Sequence, residues 1–229
     1  MTAAETAADA AANAAADRQT ALRLDLLEVA LRHVAFDGWS EQALLAGARD
    51  LDLSPAEAHN LFPGGARELV EAFSEEIDRR MLEKLEAAPL AEMKVREKIA
   101  LGVRTRLDLL ESYREEVQRG LSFLALPPNV PLATKLTWRT CDLIWYAAGD
   151  TATDYNYYTK RSLLAGVYSS TLLYWLSDRS EGREATWDFL ERRITDVLKI
   201  GGTLGKSIQR ALDAPQALFG RRSRLRPRI

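Results

Sequence analysis

Side chains able to do covalent or metal chemistry are sparse in this 229-residue chain: two histidines, His33 and His59, and one cysteine, Cys141. A di-iron helix site pairs each histidine with a glutamate at the Glu-x-x-His spacing. Here Glu28 stands five residues before His33, and Glu57 two before His59. Zinc chemistry needs more His or Cys ligands than the chain supplies. No Gly-x-Ser-x-Gly elbow is present. The stretch Gly201-Gly202-Thr203-Leu204-Gly205-Lys206-Ser207 looks like a phosphate loop, but its glycines are one residue too close and no buried strand precedes it. A flexible hinge between helices is the plainer reading. A lone cysteine forbids an intramolecular disulfide, and Cys141 reads as a small buried hydrophobe. The expectation is therefore no catalytic residue, no metal and no cofactor.

Binding chemistry is better represented. Pro55-Ala56-Glu57-Ala58-His59-Asn60-Leu61 has the position of a recognition helix, yet it holds no Lys or Arg. Across 40–65, Arg49 stands against Glu41, Asp50, Asp52 and Glu57. A DNA reader neutralises phosphates with cations, so this surface repels DNA. Aromatic residues concentrate elsewhere: nine of the 18 lie between Trp138 and Trp175. Adjacent Trp145-Tyr146 and the set Tyr155, Tyr157, Tyr158 point in different directions from one helix. They divide between core, a partner surface and a ligand cavity.

The C-terminal end carries the strongest charge signal. Residues 199–229 hold eight basic side chains and one acidic, Asp213; residues 1–198 hold 23 basic and 32 acidic. Leu204, Ile208 and Leu212 follow helical spacing, and Arg221, Arg222 and Arg224 open the basic tail. A weakly apolar amphipathic helix followed by a polybasic segment supplies two signals for reversible membrane attachment. A core-docked helix with a solvated tail and RNA binding by the arginines remain as alternatives.

Helices must position all of this. Apolar residues recur at steps of three and four from Thr20 onward, with no alternating strand pattern. At 47% apolar and 28% charged residues, the chain is globular and all-α. The punctuation predicts helices at about 20–36, 41–50, 55–61, 66–87 and 93–111, a shorter piece ending at Leu126 before the break of Pro127-Pro128-Asn129-Val130-Pro131, then helices at 132–148, 155–176 and 183–200, with Gly201-Gly202 interrupting before a last amphipathic piece. Residues 1–19 read as an Ala-rich tail that buries nothing, and 20–65 as a helix-turn-helix-like unit. The segment 66–200 is the helical core, and 201–229 the membrane-binding end. The uncharged run 162–177 is too short for a span and reads as a buried helix. Residues 1–17 contain no Lys or Arg, unlike a secretory or transit leader.

Several stretches resemble a known family. Asp142-Leu143-Ile144-Trp145-Tyr146-Ala147-Ala148-Gly149-Asp150, Thr153-Asp154-Tyr155-Asn156-Tyr157-Tyr158-Thr159-Lys160-Arg161 and Thr186-Trp187-Asp188-Phe189-Leu190-Glu191-Arg192-Arg193 are similar to the ubiquinone-biosynthesis accessory family, the ninth Coq protein. Gly38-Trp39-Ser40 and His59-Asn60-Leu61-Phe62-Pro63-Gly64-Gly65 match it too. The resemblance implies a TetR-repressor-like helical bundle that no longer binds DNA, with a pocket for an isoprenoid quinone precursor or phospholipid, and a homodimer. It implies a di-iron hydroxylase as partner, docking on Asp142, Trp145 and Tyr146. It also implies a C-terminal helix on the membrane surface, although the last 30 residues share that helix's character and little of its sequence. The Ala-rich start in place of a transit peptide points to a bacterial protein on the cytoplasmic side of the inner membrane. Two readings compete: a TetR-like transcriptional regulator responding to a hydrophobic ligand, and an enzyme acting on the lipid.

Overall fold

A computed structural model describes residues 3–153 and 155–212, with side-chain surroundings at 13–153, 156–197 and 199. Nine α-helices account for the described chain, with short 3-10 turns between some of them and no strand. They are α1 (Ala3–Asp37), α2 (Glu41–Asp50), α3 (Pro55–Leu61), α4 (Gly65–Glu86), α5 (Val95–Leu110), α6 (Arg114–Leu124), α7 (Val130–Ala147), α8 (Tyr155–Ser177) and α9 (Glu184–Leu212).

α2 packs on both α1 and α3, and side-chain caps set the starts of α2 and α3. Ser40 accepts the Ala43 amide at 3.2 Å at the start of α2. At α3, Ser54-Pro55-Ala56-Glu57 forms a complete capping box: the Ser54 amide donates to Glu57 at 2.8 Å and the Glu57 amide to Ser54 Oγ at 3.3 Å. α1 and α2 approach so closely that a Cβ at Gly47 would lie 2.8 Å from the Ala30 backbone. Trp39, buried between this unit and the rest, donates its indole N–H to the Glu116 carbonyl at 2.9 Å and packs on Phe73. The unit is thus keyed into the core.

That core lies between α4, α5, α7, α8 and α9, where α4 packs on α5 and α7, and α8 on α7 and α9. Leu69, Phe73, Ile77, Met81 and Leu85 line the inner face of α4, at the helical spacing read from the sequence. Cys141 is buried, and burial pushes its thiol up to about 12. Among the described residues no helix is long and apolar enough to cross a membrane.

Two boundaries differ from the sequence expectation. α1 begins at Ala3 rather than near Thr20. Alanine has the best helix propensity, so a helix fixed by packing after Leu22 extends backward through the Ala-rich stretch even though 13–21 are exposed. α9 runs unbroken through Gly201-Gly202 to Leu212. Glycine costs about 1 kcal/mol in a helix but neither clashes nor removes an N–H as proline does, so it need not interrupt.

Candidate functional site

The helical core encloses a cavity of about 410 Å³ between α4, α5, α6, α7 and α8. That lies within the range of small-molecule pockets. Its wall is mostly apolar, with Phe73, Leu110, Leu121, Leu136 and Leu172 prominent. The exposed lining residues Ala125, Val130 and Ser169 mark where it opens.

One patch of that wall is polar and deeply buried. Arg106 of α5 donates Nε to Asp78 Oδ1 at 2.8 Å, Nη2 to Ser74 Oγ at 3.0 Å, and Nη1 to the Tyr168 hydroxyl. Thr140 Oγ1 donates to Asp78 at 3.0 Å. Burial works against the charge on Arg106, yet Tyr168 and Asp78 outweigh it and hold the guanidinium above its ordinary range. Burial also pushes the Tyr168 phenol to about 12, so it stays protonated. Four helices supply this network, and the sequence reading missed it. The available signal was polar residues in register with apolar faces: Ser74 and Asp78 beside Phe73 and Ile77, and Arg106 between Val103 and Leu110. Charged groups rarely occupy such positions unless paired.

A second constellation lies where α7 meets α8. It brings together Asp142, Trp145 and Tyr146, the residues the resemblance marks as a partner patch. Asp142 is half-buried and accepts from Tyr157 at 3.0 Å and from Arg161 Nε at 2.5 Å. Arg161 also donates to Asp150 at 3.1 Å, and its guanidinium lies 3.5 Å over the Tyr157 ring. Burial opposes the Arg161 charge, but the bonds to Asp142 and Asp150 raise it above its ordinary value. The half-buried Trp145 donates its indole N–H to the Lys160 carbonyl at 3.2 Å. Tyr146 is 75% exposed and Tyr158 60%. The aromatic run therefore splits, as its spacing required: some rings hold the corner and others face outward.

α3 carries Glu57 and His59 as its charged or titratable groups. Glu57 is committed to the capping box, and His59 meets Glu41 at 2.5 Å. Of the expected membrane-contacting residues, Leu204, Ile208 and Leu212 fall on the backbone course of α9. Arg221, Arg222 and Arg224 lie outside the described residues.

Residues 130–201, which span both the cavity's α7–α8 wall and the aromatic corner, match the sequence profile of COQ9. Ubiquinone biosynthesis protein COQ9-B of Xenopus laevis is 34% identical over 89% of this chain and 72% of its own length. The chain belongs to the COQ9 family. The mitochondrial ubiquinone biosynthesis protein COQ9 of Bos taurus is 36% identical over 82% of the chain. The chain spans 60% of the bovine protein's own length, under two thirds of it. Among solved structures, a TetR transcriptional regulator from Nitrosomonas europaea superposes with a TM-score of 0.62 at 25% identity, over 77% of this chain and 98% of the regulator. The chain thus has a TetR-like fold.

Proposed function

We propose that this COQ9-family chain is a non-catalytic lipid-binding accessory protein of ubiquinone biosynthesis. It takes an isoprenoid quinone precursor from the membrane and presents it to the di-iron demethoxyubiquinone hydroxylase. The observation that carries this reading is the apolar cavity of about 410 Å³ inside the helical core. An apolar cavity spares a long apolar ligand the cost of about 0.8 kcal/mol for each methylene that would otherwise meet water, so passage from bilayer to cavity is not opposed. The exposed Tyr146 beside Trp145 and Asp142 supports docking of the hydroxylase at the α7–α8 corner. The amphipathic spacing of Leu204, Ile208 and Leu212, with Arg221, Arg222 and Arg224 beyond it, supports peripheral attachment to an anionic bilayer. The setting proposed is the cytoplasmic face of a bacterial inner membrane. Exposed Leu173 and Tyr174 on α8 support a homodimer.

Native mass spectrometry of the purified chain with lipid identification tests the ligand. A co-purified isoprenoid quinone or phospholipid is expected. A chain that neither carries lipid nor takes it up from vesicles overturns the reading.

The regulator reading has one observation in its favour, the likeness to a TetR transcriptional regulator. Against it, α3 holds no Lys or Arg. A salt-titrated DNA-binding assay decides, because a regulator requires steep loss of specific binding with salt.

A further inference from the structure

We infer that the cavity binds its ligand head first, with the Ser74 and Tyr168 hydroxyls, held in place by Arg106, donating to a neutral acceptor oxygen such as a quinone carbonyl. This rests on the lipid-pocket reading above and adds which end of the ligand is buried and which head chemistry is accepted.

The hydrogen-bond inventory of the polar wall gives the direction. Asp78 Oδ1 receives Arg106 Nε at 2.8 Å, and the single Thr140 hydroxyl proton is shared between Oδ1 at 3.0 Å and Oδ2 at 3.2 Å. Ser74 Oγ and the Tyr168 hydroxyl each accept from Arg106. Their own protons remain to be donated, and among the described residues neither has an acceptor. The patch thus offers two hydroxyl protons, of Ser74 and Tyr168, that no described residue accepts. Buried donors left without acceptors are costly, so a ligand oxygen placed here is favoured.

Charge decides what kind of oxygen. Arg106 and Asp78 already cancel, with side chains only 6% and 1% exposed. A carboxylate or phosphate would add an unpaired negative charge to a buried site. Glu116, an acidic side chain, lines the same cavity and disfavours a second negative charge there. A carbonyl oxygen accepts from Ser74 and Tyr168 without that cost. The apolar tail then lies along the leucines of the wall toward the opening at Ala125 and Val130.

Three probes sharing a farnesyl tail separate the possibilities: farnesyl-benzoquinone, farnesylbenzene and farnesyl phosphate, each titrated into the full chain by displacement of a fluorescent lipid. The quinone is expected to bind about tenfold more tightly than either other probe. The double variant Ser74→Ala, Tyr168→Phe should lose about tenfold in quinone affinity and leave farnesylbenzene unchanged. Equal affinity for all three, or preference for the phosphate, overturns the head assignment and leaves the lipid pocket standing. No binding of any probe overturns both. Should the double variant fail to fold, the ranking of probes by the wild-type chain decides alone.

Discussion

The three residues of the proposed docking corner do unequal work within the chain itself. Asp142 is tied to Tyr157 and Arg161, and Trp145 to the Lys160 carbonyl, whereas Tyr146 projects outward at 75% exposure. A loss of hydroxylase binding in Asp142→Lys would therefore confound docking with damage to the corner. Tyr146→Ala separates them. Truncating an exposed aromatic at an interface centre is expected to weaken hydroxylase capture by at least about tenfold. Stability should move by no more than about 0.5 kcal/mol, because the ring packs on little of its own chain. Asp142→Asn should instead lower stability by about 1 kcal/mol, since it weakens a charge-assisted bond to Arg161. Surface plasmon resonance against the hydroxylase, run beside urea denaturation of each variant, reads both quantities. Unchanged capture by Tyr146→Ala removes this corner from the docking proposal.

At the scale of elements, the turn between α8 and α9 depends on one buried carboxylate. Asp178 accepts the Ser180 amide at 2.8 Å, the Thr186 amide at 3.0 Å and the Thr186 hydroxyl at 2.5 Å. Burial alone would raise its pKa, but these bonds prevail and hold it well below the usual carboxylate range. A carboxyl with a depressed folded pKa stabilises the fold in full above its unfolded value of about 4, and loses that contribution as pH falls toward the folded value. Asp178→Ala should cost about 2 kcal/mol at pH 7 because it also strands buried Thr186. The gap between wild type and variant should narrow as pH drops below about 4. Denaturant titrations at neutral and acid pH check this, and a gap independent of pH refutes it. Helices such as α3 and α4 were legible because their information is local: Ser54, Pro55 and Glu57 write a cap, and Leu69, Phe73 and Ile77 a spacing. The polar wall was not legible, because Ser74, Arg106, Thr140 and Tyr168 meet only after four helices pack. Gly201-Gly202 predicts a break, yet the weak local cost of two glycines does not interrupt α9.

Across the whole molecule, acidic and basic charge are segregated along the chain, and that bears on membrane attachment. Residues 203–229 carry seven basic side chains and Asp213; without them the chain holds 24 basic against 32 acidic. Near an anionic leaflet each basic residue contributes roughly 1 kcal/mol, whereas the acidic remainder is repelled. The core residues of α9, Leu190 and Ile194, lie well before the cut. A chain lacking 203–229 should therefore keep its melting transition while losing sedimentation with vesicles rich in phosphatidylglycerol. Arg221, Arg222 and Arg224 changed together to Glu should abolish binding to those vesicles. Leu204, Ile208 and Leu212 changed together to Ser should weaken binding to anionic and neutral vesicles alike, because insertion of apolar side chains does not depend on headgroup charge. Raised salt should release the wild-type chain partially, since screening removes the electrostatic share and leaves the apolar one. Equal vesicle binding by the full and shortened chains would place the membrane contact elsewhere on the molecule and break the route by which lipid is proposed to reach the cavity.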